Sequence, residues 1–274
     1  MSFRRVVVTS IAALAAGAGL ACEASGRAAP ASSGGTPPAA EQRLGAEQLH
    51  VQVVQAYPHD PGAFTQGLVL ADGRLFESTG LEGRSSVREV DLATGRVLRR
   101  LDIPAPVFGE GLALVGKRLF QITWKHETAY TYDRDTFEKG PSFPYSGEGW
   151  GLCHDGRELV MSDGSATLTF RGPETFRTMR EVVVREQGVP VEQLNELECV
   201  GSQVYANVWM TDRIVRIDPK SGAVTASIDA SGLLQPSERY GTDVLNGIAY
   251  DAASDTFLIT GKLWPKMFRV RFVR

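Results

Sequence analysis

Five short segments of the chain resemble one another, and each places a polar or aromatic residue at its second position. They are TQGLVL at Thr65–Leu70, GEGLAL at Gly109–Leu114, GWGLCH at Gly149–His154, LNELEC at Leu194–Cys199 and LNGIAY at Leu245–Tyr250. The second positions hold Gln66, Glu110, Trp150, Asn195 and Asn246. A carboxylate can transfer protons, and amides can position a polar substrate or stabilise a developing negative charge. These residue types suit acid–base chemistry on a small polar group, provided that the five positions converge.

A second set of side chains is expected beside the first. Trp124, Trp209 and Lys262 align with one another at the ends of predicted strands, where the other two repeats carry glycine. Phe64 and Phe108 each stand two residues before a member of the first set. Together the two sets predict a cavity with aromatic walls and a few placed polar groups, which is typical of a small-molecule site.

Each of these residues also has a structural interpretation. Tryptophans in repeats commonly pack against neighbouring repeats, and amide side chains near the centre of a fold often satisfy backbone groups. Glu110 differs because a buried carboxylate is costly without a partner or a function. Glu148, Glu196 and Glu198 are competing carboxylates that lie close to the same segments.

The spacing of the five segments predicts the elements that position these residues. The segments recur about every 40 to 51 residues, the period of four-stranded propeller blades. A turn and a second apolar strand follow each segment, as at Ala71–Arg74 and Leu75–Thr79. The last repeat lacks residues for a fourth strand, whereas His50–Tyr57 has the pattern of an outer strand. We therefore predict an all-β fold, a five-bladed β-propeller closed by an N-terminal strand that completes the last blade.

The N-terminal residues have the composition of a targeting segment. Arg4 and Arg5 precede the apolar run Val6–Ala21, which is short for a membrane span. We predict a signal peptide over residues 1–21, a flexible Ala/Gly/Ser/Pro linker over 22–46 and a catalytic propeller domain over 47–274. The protein is expected to be exported, periplasmic or secreted, without a transmembrane domain. Lipid anchoring through Cys22 and simple cleavage of the signal peptide both remain open.

Composition argues against several kinds of partner and site. The net charge is −3 and no basic cluster occurs, so no nucleic acid is expected as a partner. The four histidines are scattered and no Cys/His spacing resembles a zinc site, so no metal is expected. Cys153 and Cys199 lie one step apart in the aligned segments, which places them on opposite faces of their sheets. A disulfide is compatible with an oxidising compartment, but this register argues against it, so two free, buried cysteines are the default prediction. We also predict a monomeric protein.

Longer motifs around these segments carry a family resemblance. They are YPHDPGAFTQGL at Tyr57–Leu68, LFESTGLEGRSSVREVDL at Leu75–Leu92, FGEGLAL at Phe108–Leu114, LNELE at Leu194–Glu198 and LNGIAY at Leu245–Tyr250. Over about residues 50–274 the chain resembles the plant-type glutaminyl-peptide cyclotransferases, also called glutamine cyclotransferases. The resemblance implies a five-bladed propeller that converts the N-terminal glutamine of a peptide or protein to pyroglutamate and releases ammonia. It also implies that no cofactor and no catalytic zinc take part.

The resemblance assigns roles to individual positions. Glu110 matches the catalytic glutamate of the family, and the other matches are expected to bind substrate. These are Phe64, Gln66, Phe108, Trp124, Trp150, Asn195, Trp209 and Lys262, with Lys266 as a nearby alternative to Lys262. Asn246 joins them from the alignment of the repeats.

Two other functions remain compatible with a propeller. One is an exported propeller that binds a ligand or protein without catalysis, because a fold alone does not determine function. The other is a propeller lactonase or hydrolase. Such enzymes usually hold a central metal with several carboxylates, whereas Glu110 is the only charged residue in the first set.

Overall fold

The computed structural model describes residues 45–274, which form twenty-two β-strands and one short 3₁₀ helix. Within this range no helix has both the length and the apolar character that a membrane span needs. The predicted signal peptide, Cys22 and all but the last two residues of the predicted linker lie outside the described residues. The expectation of an all-β fold is confirmed.

The strands follow one another in groups of four after an initial long strand. The first strand and first group are β1 Glu47–Pro58, β2 Thr65–Ala71, β3 Arg74–Thr79, β4 Ser86–Val90 and β5 Val97–Asp102. The second group is β6 Gly109–Val115, β7 Arg118–Thr123, β8 Thr128–Asp133 and β9 Phe143–Pro144. The third is β10 Leu152–His154, β11 Leu159–Met161, β12 Thr167–Arg171 and β13 Thr178–Val183.

The remaining elements complete two further groups. A small hairpin comes first, with β14 Arg185–Glu186 and β15 Val189–Pro190. The fourth group is β16 Leu194–Val200, β17 Gln203–Val208, β18 Arg213–Ile217 and β19 Val224–Asp229. The 3₁₀ helix Pro236–Glu238 precedes the last group, β20 Leu245–Asp251, β21 Thr256–Gly261 and β22 Lys266–Val273.

Local sequence explains the hairpins within these groups. Between β2 and β3, Asp72 and Gly73 adopt φ values of 52° and 73°. Two consecutive residues with positive φ form the turn that suits the twist of a two-residue hairpin, and Asp-Gly is a favoured pair for it. The strands of a group also differ in burial. Every residue of β4 is buried, whereas β5 alternates between half-buried and exposed residues. Each group thus has buried central strands and a partly exposed outer strand.

The groups form separate sheets except where β1 intervenes. The first, second and third groups are each a four-stranded sheet. The last two groups share an eight-stranded sheet with the order β16-β17-β18-β19-β1-β22-β21-β20. In it β1 pairs antiparallel with β22 along His50–Pro58 and parallel with β19 along Glu47–His50. The prediction that an N-terminal strand supplies the fourth strand of the last group is confirmed.

The first strands of the five groups lie side by side at the centre of the structure. The neighbours in this closed cycle are β2, β6, β10, β16 and β20. Glycine permits the close approach, because a Cβ atom at Gly67 would lie only 2.5 Å from the backbone nitrogen of Leu112. The five aligned second positions are therefore neighbours in space, although they are far apart in sequence.

A cluster of buried charges, which we call the Glu77 cluster, fastens the segment between β1 and β2. It consists of Glu77, His59, Arg88 and Thr65. The Glu77 carboxylate accepts hydrogen bonds from His59 Nε2 at 3.1 Å, Thr65 Oγ1 at 2.7 Å and Arg88 Nε at 2.8 Å. Because the segment carrying His59 continues directly into β2, the cluster fixes the backbone at the entrance to that central strand.

His59 in this cluster also ties the first group to the last. Its Nδ1 donates a hydrogen bond to the carbonyl oxygen of Trp264 at 2.8 Å, between β21 and β22. Burial lowers the pKa of His59, but the neighbouring Glu77 carboxylate outweighs it, so the pKa lies above the usual value. Both ring nitrogens face acceptors, which is the arrangement of a positively charged imidazolium.

The prediction of two free cysteines is wrong. Cys153 of β10 and Cys199 of β16 form a disulfide with their Cα atoms 5.5 Å apart, a normal separation for this bond. The one-step difference in register, which argued against a bond, does not keep the two side chains apart. The third and fourth groups of strands pack against each other around a shared core that contains Cys153 and contacts Cys199. Residues that meet across such an interface must come from opposite faces of their sheets.

Candidate active site

A cavity of about 460 Å³ lies at one end of the five central strands. Twelve residues line it: Phe64, Gln66, Phe108, Glu110, Trp124, Trp150, Asn195, Trp209, Met210, Asp243, Val244 and Lys262. Nine of them are residues singled out from the sequence. The two predicted sets of side chains, from the starts of first strands and the ends of second strands, are therefore brought together around one cavity.

Glu110 at the start of β6 is the buried carboxylate of this cavity. It is 5 % exposed and accepts a hydrogen bond of 2.9 Å from Gln66 Nε2. Burial raises the pKa of Glu110 well above its usual value, the positive charge of Lys262 opposes this shift, and the negative charge of Glu148 adds to it. A buried carboxyl group with a raised pKa is a candidate for both accepting and returning a proton.

Asn246 supports this arrangement from behind the cavity wall. Its Nδ2 donates to Gln66 Oε1 at 3.1 Å and to the carbonyl oxygen of Thr65 at 3.0 Å. With its oxygen engaged in this way, the Gln66 amide must direct its nitrogen towards Glu110. Asn246 is fully buried and does not line the cavity. Asn246 was predicted to bind substrate, but in the structure it contacts Gln66 and lies outside the cavity lining.

Lys262, the residue directly after β21, carries the positive charge of the cavity. Its Nζ lies 4.9 Å from the centre of the Phe64 ring, and the residue is 5 % exposed. Burial lowers the pKa of Lys262, while the charge of Glu110 counteracts that effect. Lys266, the alternative considered from the sequence, forms an ion pair with Glu238 and does not line the cavity.

Aromatic rings form most of the cavity wall. Phe64 and Phe108 meet edge to face with ring centres 6.0 Å apart, and Phe108 meets Trp124 at 5.7 Å. On another side Trp150 and Trp209 meet at 5.5 Å, also edge to face. These contacts join the rings into two continuous walls of the cavity that contains Glu110.

Asn195 lines the cavity and holds an unpaired acceptor. The residue is 2 % exposed, and its Oδ1 receives no hydrogen bond from the described residues. That oxygen is shielded from solvent and does not open into the cavity. Buried polar atoms normally have partners, so this acceptor is an exception.

The competing carboxylates point elsewhere. Glu196 accepts hydrogen bonds from the backbone nitrogens of Leu68 at 3.1 Å and Ile248 at 2.7 Å. Glu198 accepts one from the backbone nitrogen of Tyr250 at 2.8 Å, and burial raises its pKa to about 8. Neither lines the cavity, and both join central strands of different groups to one another.

Three cavity residues were missed by the analysis of the sequence. Met210 follows Trp209 with a positive φ of 66°, and Asp243 and Val244 end the long connection before β20. They lie outside the repeated segments, so the alignment of repeats could not reveal them. The short distance of Asp243 from Asn246 in sequence was the only available signal.

No group of three or more His, Cys, Asp or Glu side chains in residues 45–274 is arranged to hold a metal ion. The polar groups of the cavity are instead one buried carboxylate, one ammonium group, amides and a second carboxylate from Asp243. This set can transfer a proton and bind a polar, uncharged group between aromatic walls.

Comparisons with known proteins agree with this picture. The family model described as glutamine cyclotransferase matches residues 27–272. A glutaminyl-peptide cyclotransferase of Arabidopsis thaliana is 47 % identical over 229 residues, which cover 81 % of this chain and 71 % of the relative. The crystal structure of a glutaminyl cyclase of Myxococcus xanthus has 39 % sequence identity and a TM-score of 0.76, with 83 % of this chain and 98 % of that chain covered.

Proposed function

The chain belongs to the glutamine cyclotransferase family and is a glutaminyl-peptide cyclotransferase, and we propose that Glu110 transfers the protons of its reaction. The α-amine of an N-terminal glutamine attacks the γ-carboxamide carbon of the same residue, a five-membered lactam forms, and ammonia leaves. The burial of Glu110 in the aromatic cavity, with its raised pKa, is the observation that carries this proposal.

We infer that the five groups of strands are the blades of a five-bladed propeller. The closed cycle of central strands and the matching four-stranded groups support this architecture. So does the position of β1, which completes the last group. In a propeller of this kind the cavity lies at one end of the central axis, where each blade contributes equivalent positions.

The proton balance requires one group that acts twice. The attacking amine must lose a proton as the new C–N bond forms, and the departing nitrogen must gain one to leave as ammonia. Glu110 accepts the first proton as a carboxylate and delivers it to the leaving group as a carboxylic acid. Gln66 Nε2, at 2.9 Å, holds the carboxylate in position between these two steps.

Lys262 is assigned to the oxygen of the reacting carboxamide. That oxygen gains negative charge in the tetrahedral intermediate and needs a donor. The Gln66 amide is engaged at both ends, by Glu110 and by Asn246, whereas the Lys262 ammonium makes a cation–π contact with Phe64 and faces the cavity. Asn195 is assigned to substrate binding because it lines the same cavity.

The aromatic walls supply the geometry of the reaction. Both reacting groups belong to one flexible side chain, so folding it towards the ring-closing geometry is a large part of the barrier. Rings on several sides of the cavity restrict the side chain to compact conformations. The substrate is therefore a peptide or protein whose first residue is glutamine.

The direct test is incubation of the protein with a peptide that begins with glutamine. We expect loss of one ammonia from the peptide by mass spectrometry and an equal amount of free ammonia. A matched peptide with an acetylated N-terminus should not react. Binding of the peptide without release of ammonia would instead indicate a binding protein, and hydrolysis of a lactone would indicate a hydrolase.

A chelator arm of the same assay tests the role of metals. We expect activity to survive prolonged incubation with EDTA, because the proposed steps use only Glu110, Lys262 and amide groups. Loss of activity in EDTA that zinc alone restores would contradict this mechanism.

We propose that the protein acts outside the cytoplasm. The charged and apolar pattern of residues 1–21 supports export. The disulfide between Cys153 and Cys199 agrees with it, because structural disulfides persist in oxidising compartments. Analysis of the mature N-terminus by mass spectrometry distinguishes a lipid on Cys22 from simple cleavage.

A further inference from the structure

Two tryptophans of the cavity wall donate to the same oxygen atom. Trp124 follows β7 and Trp150 precedes β10, so they come from different groups of strands. Trp124 Nε1 donates to Glu148 Oε2 at 2.7 Å, and Trp150 Nε1 donates to the same atom at 3.0 Å. Glu148 itself is not part of the cavity lining. It stands behind the two indole rings and joins them.

Glu148 is charged when it does so. Partial burial raises its pKa, but the indole N–H groups of Trp150 and Trp124, together with the Lys125 ammonium group, outweigh that effect and hold the pKa below its usual value. Hydrogen bonds to an ionised acceptor are stronger than those between neutral groups. The two indoles are thus anchored by a carboxylate that stays ionised at neutral pH.

The other oxygen of Glu148 faces Lys125. The distance from Lys125 Nζ to Glu148 Oε1 is 3.5 Å, and the same Nζ lies 3.9 Å from the centre of the Trp124 ring. The Lys125 side chain is 57 % exposed, so this ion pair adds little stability. Glu148 therefore acts on the structure through its hydrogen bonds to the two indoles rather than through the ion pair.

We propose that Glu148 is a positioning residue of the active site, which fixes the Trp124 and Trp150 rings through one carboxylate oxygen and thereby sets the shape of the cavity in front of Glu110. This proposal rests on the proposed function, since the shape matters only for a substrate that must fold into a ring. Trp150 continues the wall through Trp209, and Trp124 continues it through Phe108. One acceptor therefore holds both aromatic walls.

The carboxylate acts on Glu110 in a second, separable way. Its negative charge contributes to the raised pKa of Glu110. The acceptor function needs only an oxygen atom, whereas the electrostatic function needs the charge. Two substitutions separate them, because Glu148→Gln keeps an oxygen acceptor without charge, and Glu148→Leu removes both at similar size.

The test compares these two variants with the unsubstituted protein, and Glu192→Leu serves as a control. Glu192 is an exposed glutamate shortly before the central strand β16, and it lies outside the cavity lining. We expect kcat/KM for a glutamine peptide to fall about 10- to 100-fold in Glu148→Leu, the usual scale when reacting groups are misplaced. Glu148→Gln should retain most of the activity on the pH plateau, and Glu192→Leu should retain all of it.

Two further measurements distinguish positioning from a general loss of structure. The acidic limb of the pH profile of kcat/KM should move to lower pH in both Glu148 variants, because the charge that raises the pKa of Glu110 is lost in both. Tryptophan emission should change in Glu148→Leu and stay close to that of the unchanged protein in Glu148→Gln. Melting temperatures should remain similar in all three variants.

The outcomes separate this proposal from the proposed function. If the unchanged protein does not cyclise glutamine peptides, the proposed function is wrong. If it does, but Glu148→Leu matches Glu148→Gln in kcat/KM and in tryptophan emission, the positioning role of Glu148 is wrong. An unmoved pH profile in both variants would overturn the electrostatic part.

Discussion

Glu110 owes its properties to what surrounds it rather than to its own sequence position. Four acidic residues lie in or beside the central segments, yet Glu196 and Glu198 accept backbone hydrogen bonds and Glu148 accepts two indole hydrogen bonds. Glu110 receives only the Gln66 amide and otherwise faces the cavity. Of these four, Glu110 is the one that lines the cavity, which is why we propose it for proton transfer.

The first prediction is that Glu110→Gln abolishes most turnover. Glutamine has nearly the same size and still accepts a hydrogen bond, but it cannot carry a proton. We expect kcat for cyclisation of a glutamine peptide to fall by about 10²-fold or more, the usual contribution of general acid–base catalysis. Binding of the peptide, measured by calorimetry, should persist because the aromatic walls are unchanged.

The comparison variant for this prediction is Glu198→Gln, which replaces a buried carboxylate outside the cavity. We expect it to retain turnover whenever it folds. Near-normal kcat in Glu110→Gln together with loss of kcat in Glu198→Gln would show that the wrong carboxylate was assigned.

The second prediction concerns the pH dependence of stability in Glu110→Gln. The pKa of Glu110 is raised in the folded state, so its protonated form favours folding. The stability that Glu110 contributes is present below its unfolded pKa of about 4.5 and is lost as pH rises through the folded value. The variant lacks this loss. We expect its free energy of unfolding to exceed that of the unchanged protein by a margin that grows with pH, as measured by denaturation at pH 4 and pH 8; a margin that shrinks with rising pH would contradict the burial of an ionised Glu110.

Most cavity residues were predictable from the sequence because equivalent positions of a repeat converge on one place. Asp243 and Met210 were not, since they belong to connections that have no counterpart in the other repeats. The sequence also could not show that Asn246 lies outside the cavity lining, because alignment gives the position of a residue along a strand and not the depth of its side chain. The double contact of Glu148 was not predicted either, since Trp124 and Trp150 belong to different groups of strands.

The strand β1 is the element on which closure of the structure depends. It lies between β19 and β22 and joins two groups of strands into one sheet. The segment after it enters the Glu77 cluster, and His59 within that cluster bonds Trp264 of the last group. The strand β1 and the segment after it therefore contact the last group of strands at two independent places.

The third prediction is that removal of residues 1–57 destabilises the whole domain, whereas removal of residues 1–40 does not. The longer deletion exposes the edges of β19 and β22 and leaves the eight-stranded sheet split. We expect a lower melting temperature by circular dichroism and loss of activity in the longer deletion alone. Equal melting temperatures for the two truncated proteins would show that β1 is not needed for closure.

The fourth prediction is that Glu77→Gln destabilises the fold through the charges that it leaves unpaired. Burial raises the pKa of Glu77, but Arg88 and His59 outweigh it and lower the pKa to about 2. Removing one partner of a buried charge pair typically costs about 3–5 kcal/mol. The stabilisation is present above pH 4.5 and is lost as pH falls towards 2. Chemical denaturation should thus show the largest difference from the unchanged protein near neutral pH and a smaller one near pH 3; an equal difference at both pH values would argue against a charged Glu77.

Across the whole molecule, the five groups of strands hold together by contacts between neighbouring sheets, and the covalent bond between Cys153 and Cys199 is one of these contacts. The grouping of the strands followed from the repeats in the sequence, as did the use of the N-terminal strand, whereas the β14–β15 hairpin was not predicted. The disulfide did not, because alternation along one strand gives the face of a side chain but not which sheet lies opposite that face.

The fifth prediction concerns this disulfide. We expect the denatured, unreduced protein without residues 1–40 to contain no free thiol, since Cys153 and Cys199 are then its only cysteines. The variant with both Cys153→Ala and Cys199→Ala should lose about 2–4 kcal/mol of stability, the usual contribution of such a bond. Two titratable thiols in the unreduced protein, or an unchanged unfolding curve in the variant, would contradict the bond.

The position of β1 has a consequence for biosynthesis. His50 pairs with Val273, so every other described strand lies in sequence between β1 and its antiparallel partner β22. Until β22 is made, β1 can pair only with β19 along Glu47–His50, and joining β1 to β22 closes a very long loop. A circularly permuted chain that begins at His59 and carries Glu47–Pro58 after Arg274 would turn this most distant pairing into a local hairpin. Such a permutant should keep the same cavity and refold faster than the natural order of the chain allows.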